Sequence, residues 1–483
     1  MIHYGQISVS KKFVFVNLAV GGYNSGINHG IAYLVPVVKR HSYEVSCINI
    51  MDQMSPEEFY GKVCSLEPSI VGFSSLSHHL KYLRMYSAAL RSRPEILQIA
   101  GGAGPTLDPE SAFTESALRA VCIGEAEKPL DNLLKAIEEN ADISSVEGFW
   151  WSLPEGIRKN PVPQFVSDLS TLDFPDYSVF DRDLACDNSA LLVMLSRGCP
   201  NNCSYCCNKA LSGVYPSGKG YFRLPSAKYA INLLKRLVAE FPEARFIDFE
   251  DDLLIADKRW FEDFARRYKE SIGLAYRVCG RSEFIDKDIV AFLKSSGCKA
   301  VYVGLESGNE HFRKTVLNRQ YSNELLLDRC KMIKAAGIGL FTFNMIGFPS
   351  ETKSHMRDTF MLNRRIKPDM GVCAFFYPYK GTRLYEICKQ QNMLKDESEM
   401  LDIANYRTCP SIKMPARHEA DCLKYYKRIS NYLQPARFGS FSPAANFIMR
   451  RRLLYAAARV AYRISGLRLV FIYFKRYRDR ARF

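Results

Sequence analysis

The chain has 483 residues, 47% of them hydrophobic and 24% charged. That composition excludes wholesale disorder and fibrous repetition, and the length suggests two or three domains. Net charge is +15, yet residues 435–483 hold twelve Lys/Arg against one acid, Asp479. The rest is close to neutral, which argues against a polyanion binder and for one basic patch.

Residues 13–18, 44–50, 69–73, 96–100 and 120–123 are apolar runs of strand length. Helical patterning over 29–40, 55–66, 78–91, 109–116 and 128–139 separates and follows them. This alternation predicts an α/β, flavodoxin-like doubly wound parallel sheet over residues 1–140, with ligands over the C-terminal strand ends. Residues 141–189 read as a linker. Phe149-Trp150-Trp151 and Gly156-Ile157-Arg158 could pair as a hairpin, followed by a Pro- and Asp-rich stretch.

A second alternation fills residues 190–390. Strands are expected at 190–195, 245–249, 274–278, 300–305, 339–346 and 371–377, and helices at 227–240, 260–271, 286–296, 323–336 and 355–365. Six βα units predict a (β/α)6-type barrel, partial or complete, with chemistry on the loops after the strands. Residues 391–483 read as a helical C-terminal region.

Mean hydropathy is −0.16. No run of about 18 uncharged apolar residues occurs, and the N-terminus lacks a leader pattern, so a cytoplasmic protein is expected. Fifteen cysteines are present. Cys47, Cys64, Cys122, Cys298, Cys330 and Cys373 lie singly in apolar runs, where a small buried hydrophobe is the plain reading.

Cys199, Cys203 and Cys206 differ. Their C-x3-C-x2-C spacing follows the first strand of the second alternation, so one loop can carry all three thiolates to one metal centre. Zinc normally takes four closed ligands, and the adjacent Cys207 would point awkwardly as the fourth. An iron–sulfur cluster held by three thiolates keeps one iron open for another ligand.

The loop Ser196-Arg197-Gly198-Cys199-Pro200-Asn201-Asn202-Cys203-Ser204-Tyr205-Cys206 resembles that of the radical S-adenosylmethionine (SAM) enzymes. The resemblance implies a [4Fe–4S] cluster on Cys199, Cys203 and Cys206, with SAM chelated by the open iron and cleaved to a 5′-deoxyadenosyl radical. Tyr205 then fills the aromatic position beside the adenine. Asp251, in Phe249-Glu250-Asp251-Asp252, resembles the acidic end of the family's second strand and would orient SAM or substrate. Arg281 resembles a SAM-contacting arginine. Glu306, in Gly304-Leu305-Glu306-Ser307-Gly308, resembles the family's G-x-E-S-G, implying contact with the SAM ammonium or ribose. Met345–Glu351 and Pro378–Thr382 resemble later family segments.

Ser74-Ser75-Leu76 after the third strand, Gly101-Gly102 after the fourth and Gly124-Glu125-Ala126-Glu127 after the fifth resemble cobalamin-binding domains fused to such barrels. Ser74, Leu76, Gly101 and Gly102 are then expected at the slot for the cobalamin nucleotide tail, where small residues keep the space open. The D-x-H-x-x-G motif is absent. His29 lies in about the right region, but Ile27 and Ala32 flank it, and a helix-start or surface histidine is expected rather than a cobalt ligand.

The resemblance as a whole implies a cobalamin-dependent radical SAM methyltransferase acting on an unactivated carbon. Radical cyclisation or rearrangement without methylation, methylthiotransfer, and a non-catalytic cobalamin or iron–sulfur sensor are the alternatives. No catalytic residue acting on the substrate is legible. The expected partners are a small-molecule or lipid substrate and an external one-electron reductant, with nucleic acid disfavoured. In the tail, Arg452, Arg459 and Arg463 share a helical face opposite Leu454, Ala457, Ala461 and Ile464. That pattern suits an interfacial amphipathic segment, hence peripheral membrane contact.

Overall fold

The computed structural model describes residues 10–20, 26–187, 190–396 and 409–434. The basic segment 435–483, with its expected amphipathic helix, lies outside the described residues.

Apolar runs in the first third form strands β1 (Lys12–Leu18), β2 (Glu44–Ile50), β3 (Ile70–Ser74), β4 (Leu97–Gly101) and β5 (Ala120–Cys122). They pair in parallel in the order β2-β1-β3-β4-β5. The strand order therefore reverses between β1 and β3, and the crevice over their C-terminal ends is where such a sheet receives a ligand. The expected hairpin forms as β6 (Phe149–Leu153) and β7 (Gly156–Lys159). It continues this sheet, β6 running antiparallel to β5, and buries Phe149 and Trp151.

The second sheet contains β8 (Cys186–Asp187), β9 (Ala190–Val193), β10 (Phe246–Phe249), β11 (Ala275–Gly280), β12 (Cys298–Glu306), β13 (Gly339–Ile346) and β14 (Met370–Phe375). Its spatial order follows the chain from β8 to β14, with only β8 antiparallel. An order without reversal places right-handed crossover helices on one face, so the sheet curls around its other face. Among the described residues it stays open: β14 pairs with β13 alone, and β8 pairs with β9 alone. The partial form of the expected barrel is the one that occurs.

Alternation divides β11–β13 between two environments. Val278, Val301, Val303, Leu305 and Leu340 pack among residues of the helices Trp260 belongs to (Lys258–Ser271), Lys287–Ser295 and Asn323–Ala335. Arg277, Tyr302, Phe341 and Phe343 take the concave side and are half-buried. One apolar cluster runs from Phe13 and Phe149 through Tyr177 to Leu191 and Ile366, so both sheets share a core. No helix among the described residues is long and apolar enough to cross a membrane.

Of the scattered cysteines, Cys122, Cys298, Cys330 and Cys373 are buried as expected. Cys47 and Cys64 are only half-buried. Cys64 faces a polar neighbour, accepting a hydrogen bond from Arg93 Nη1 at 3.0 Å.

Candidate functional site

The cysteine loop leaves β9 and is held at its root by Asp251. That carboxylate is buried and accepts from the Leu195 N–H at 3.0 Å, and from both the N–H and the hydroxyl of Ser196. Burial raises the Asp251 carboxyl to about 6, against the pull of these donors. Asp251 thus spends its oxygens on the loop backbone. Asp252 accepts instead from Asn208 Nδ2 at 2.9 Å.

Each sulfur of the triad has a nitrogen donor aimed at it. Arg281 Nη1 lies 3.1 Å from Cys203 Sγ, Asn201 Nδ2 lies 3.4 Å from Cys199 Sγ, and Asn208 Nδ2 lies 3.8 Å from Cys206 Sγ. Donors of this kind stabilise negative charge on sulfur and tune a cluster bound through it. Three thiolates carried by one loop suit a four-iron cluster, which takes each on a separate iron.

Glu306 is aimed by a backbone irregularity. The β12–β13 register shifts between Gly304 and Glu306, and Glu306 sits at φ +61°. A bulge re-aims a side chain in this way, at a strain cost of about 1–3 kcal/mol for a non-glycine residue. The side chain is buried beside Arg319, whose Nη1 lies 3.4 Å from Glu306 Oε1 and 3.0 Å from Tyr205 Oη. Arg319 Nη2 donates to the Gly304 carbonyl at 2.6 Å, while Nε has no partner. Burial pushes the Glu306 carboxyl above the usual range, and Arg319 and Arg281 pull it back. Glu306 and Tyr205 are therefore brought together by Arg319, a residue the sequence reading missed. Tyr205 also packs edge-on against Phe348, on the turn after β13.

The first sheet contributes a cavity of about 360 Å³ at the crevice between β1 and β3. Ser74, Gly101 and Gly102 line it from the first sheet, and Met194, Gly198 and Asn208 from the cysteine loop and its approach. Ser74 Oγ accepts from Asn28 Nδ2 at 2.9 Å, and Asn28 Oδ1 caps the helix His29–Arg40 through the Ile31 N–H. A Cβ on Gly101 would meet only Cys122 Cβ, at 3.8 Å, so the glycine leaves the slot open. Gly102 is needed for another reason: at φ +94° an added Cβ would lie 2.7 Å from the Ser75 carbonyl oxygen. Leu76 does not line this cavity; its backbone packs against Gly104. The lining combines apolar Phe13, Phe15, Ile99 and Leu130 with polar Asn28 and Ser74, a mixture that suits a flat heterocyclic tail ending in a ribose phosphate.

Of the two expected positions, helix start and surface, His29 takes the helix start. It is buried, with Nδ1 2.7 Å from Tyr177 Oη and Nε2 3.0 Å from Glu250 Oε2. Both ring nitrogens are engaged, so neither is left for cobalt.

The concave face of the second sheet carries an aromatic wall. Tyr302 stacks on Phe343 (centroids 5.3 Å apart, planes at 19°) and touches Phe341 at 4.6 Å. Arg277 lies over the Tyr302 ring at 4.6 Å and is paired with Asp248. Val372 on the edge strand is 52% exposed among the described residues.

The profile of the radical SAM superfamily matches residues 193–362, and that of the B12 binding domain matches residues 18–134. A Pyrococcus horikoshii protein named as an uncharacterised methyltransferase is 25% identical over 376 residues, covering 76% of this chain and 79% of its own. An anaerobic magnesium-protoporphyrin IX monomethyl ester cyclase from Rubrivivax gelatinosus is 23% identical over 83% of this chain and 72% of its own. Among solved structures, the radical SAM methyltransferase TsrM from Kitasatospora setae superposes with a TM-score of 0.66 at 16% identity, over 87% of this chain and 83% of that one. The cobalamin-dependent radical SAM enzyme OxsB gives 0.62 at 17%, over 83% and 57%. The last two show a shared fold.

Proposed function

For this chain, which belongs to the radical SAM enzymes that carry a cobalamin-binding domain, we propose methyl transfer from SAM to an unactivated carbon of a small molecule. When bound, the [4Fe–4S] cluster supplies the electron that makes a 5′-deoxyadenosyl radical from SAM, and cobalamin supplies the carrier for the methyl group.

Cys199, Cys203 and Cys206 hold the cluster, and Arg281, Asn201 and Asn208 offset the charge on their sulfurs. Glu306 and Tyr205, fixed by Arg319, bind the ammonium or ribose and the adenine of SAM. Asp251 keeps the loop at its angle to β9 rather than touching SAM. Ser74, Gly101 and Gly102 hold the cobalamin tail, with Gly102 also setting the turn beside Ser75. Tyr302, Phe341 and Phe343 give the substrate an apolar wall. An external one-electron donor completes the cycle.

One observation carries this reading. A single cavity is lined by the glycine pair and serine of the first sheet and by the root of the cysteine loop. The deciding experiment is anaerobic purification, cluster reconstitution, addition of hydroxocobalamin, desalting, and measurement of cobalt per chain. About one cobalt per chain is expected; none would remove the methyl-transfer reading. With SAM deuterated in its methyl group, label in the product then separates methylation from cyclisation. The protein is further proposed to be cytoplasmic and to touch membranes through its basic C-terminus. Deleting residues 447–483 is expected to lower binding to anionic vesicles, and unchanged binding would remove that part.

A further inference from the structure

The root of the cysteine loop is tied to the first sheet by four charged side chains, Arg223 and Glu127 buried and Arg197 and Glu125 half-buried. Glu125 and Glu127 follow β5. Arg197 precedes the first cysteine, and Arg223 lies beyond the last. Backbone bonds join the two arginines in both directions, Arg197 N to Arg223 O at 3.0 Å and Arg223 N to Arg197 O at 2.9 Å, closing the cysteine segment at its neck. Arg197 pairs with Glu127 and, at 3.2 Å, with Glu125. Arg223 grips both oxygens of Glu125. The arginine side chains are 17% and 5% exposed, the glutamates 16% and 10%. Arg197 lies over Tyr33 at 4.9 Å, and Arg223 over Phe165 at 4.2 Å. Tyr215 Oη accepts from the Glu125 N–H at 2.8 Å, adding a further tie.

Such a cluster is a poor way to gain stability. Desolvating four charges costs several kcal/mol per ion, and apolar replacements of similar size often do as well. What it provides is register. The carboxylates follow a strand of the sheet whose glycines line the cavity, the two arginines bracket the three cysteines along the chain, and Glu125, Glu127 and Arg197 line the same cavity. Gly198 makes the last step rigid: at φ +74° its Cβ position is only 2.5 Å from the Tyr221 carbonyl.

We infer that Glu125 and Glu127 are positioning residues that, through Arg197 and Arg223, fix the cluster loop relative to the cobalamin slot. The inference rests on the cofactor assignment proposed above.

The test uses reconstituted, cobalamin-loaded holoenzyme. Glu127→Leu combined with Arg197→Met removes one positive and one negative charge, and with them both ion pairs of Arg197, without leaving an unpaired charge, since Glu125 and Arg223 still face each other. Arg197→Lys keeps the charge but loses the two-pronged grip. Iron and cobalt per chain are measured first. The dipolar coupling between reduced cluster and cob(II)alamin is then read by pulsed electron paramagnetic resonance.

Wild-type stoichiometry with at least a twofold broader cluster–cobalt distance distribution is expected for the double variant, with an intermediate value for Arg197→Lys. Unchanged distributions at full cofactor occupancy would overturn the inference and leave the cofactor assignment intact. A wild-type protein that retains no cobalt would overturn both. Should the double variant fail to fold, Arg197→Lys decides alone, an unaltered spectrum refuting the inference.

Discussion

Replacing Arg319 by Met tests whether the buried charge next to Glu306 is structural or incidental. The guanidinium serves Tyr205 Oη at 3.0 Å, Gly304 O at 2.6 Å and Glu306 Oε1 at 3.4 Å. Removing it leaves a buried carboxylate without its cation, a change that costs about 3–5 kcal/mol. The carbonyl and the hydroxyl also lose a donor, but such losses overlap within one network and do not simply add. About 4 kcal/mol is therefore expected, read from the urea midpoint at pH 7.5. Glu306 already titrates high through burial, and losing Arg319 pushes it higher, so its affinity for a cationic ammonium falls. Calorimetric SAM binding to the reconstituted enzyme should weaken by about tenfold or more, 1.4 kcal/mol being a factor of ten. Adding Glu306→Gln should restore part of the stability, with a coupling of about 2 kcal/mol, but none of the SAM affinity. A cost below about 1 kcal/mol, or strictly additive costs in the double variant, would refute the reasoning.

Glu351 is buried, accepts from the Gly347 and Phe348 N–H groups through Oε2, and is raised by burial to about 8. The native state then keeps a proton that the unfolded chain loses above its ordinary carboxyl range. Stability should fall by about 1.4 kcal/mol per pH unit as pH rises toward 8. Glu351→Gln should flatten that slope in urea melts between pH 5.5 and 7.5, and parallel curves would count against it. Cys203→Ala should abolish cluster assembly, read as iron per chain and visible absorbance; full absorbance would contradict the ligand assignment. Gly102→Ala forces a Cβ to within 2.7 Å of a backbone oxygen at φ +94°. It should cost about 1–3 kcal/mol and lower the cobalamin retained per chain, and wild-type retention would show that this turn does not shape the slot.

The elements were legible because strands β1–β5 and β9–β14 are short apolar runs, each separated from the next by helical patterning. The cysteine triad was legible because one loop supplies all three thiolates. Arg319 was not: it lies in an ordinary polar stretch, and the hydroxyl it serves on Tyr205 is 114 positions away. Glu125 and Glu127 read as a loop after a strand, since their arginines stand 98 and 70 positions downstream. The burial of His29 was not legible because Tyr177 and Glu250, which bind it, come from the linker and the loop after β10. Side-chain pairing across folds of the chain leaves no periodic trace. The acidic end of β10 shows the same limit: composition places Asp251 and Asp252 together, and only the backbone turn separates the one bound to Ser196 from the one bound to Asn208.

The shared apolar cluster bears on how this architecture can be taken apart. Cutting before β9 would divide the apolar cluster that Tyr177 and Phe180 share with Leu191 and Val193, and strip Glu127 of its arginine. Neither fragment would be a finished protein. A chimera that grafts this first sheet onto another barrel must carry the two glutamates, the linker tyrosine and the matching arginines as one inherited block. Exchange between relatives should succeed at the ends of that block and fail inside it.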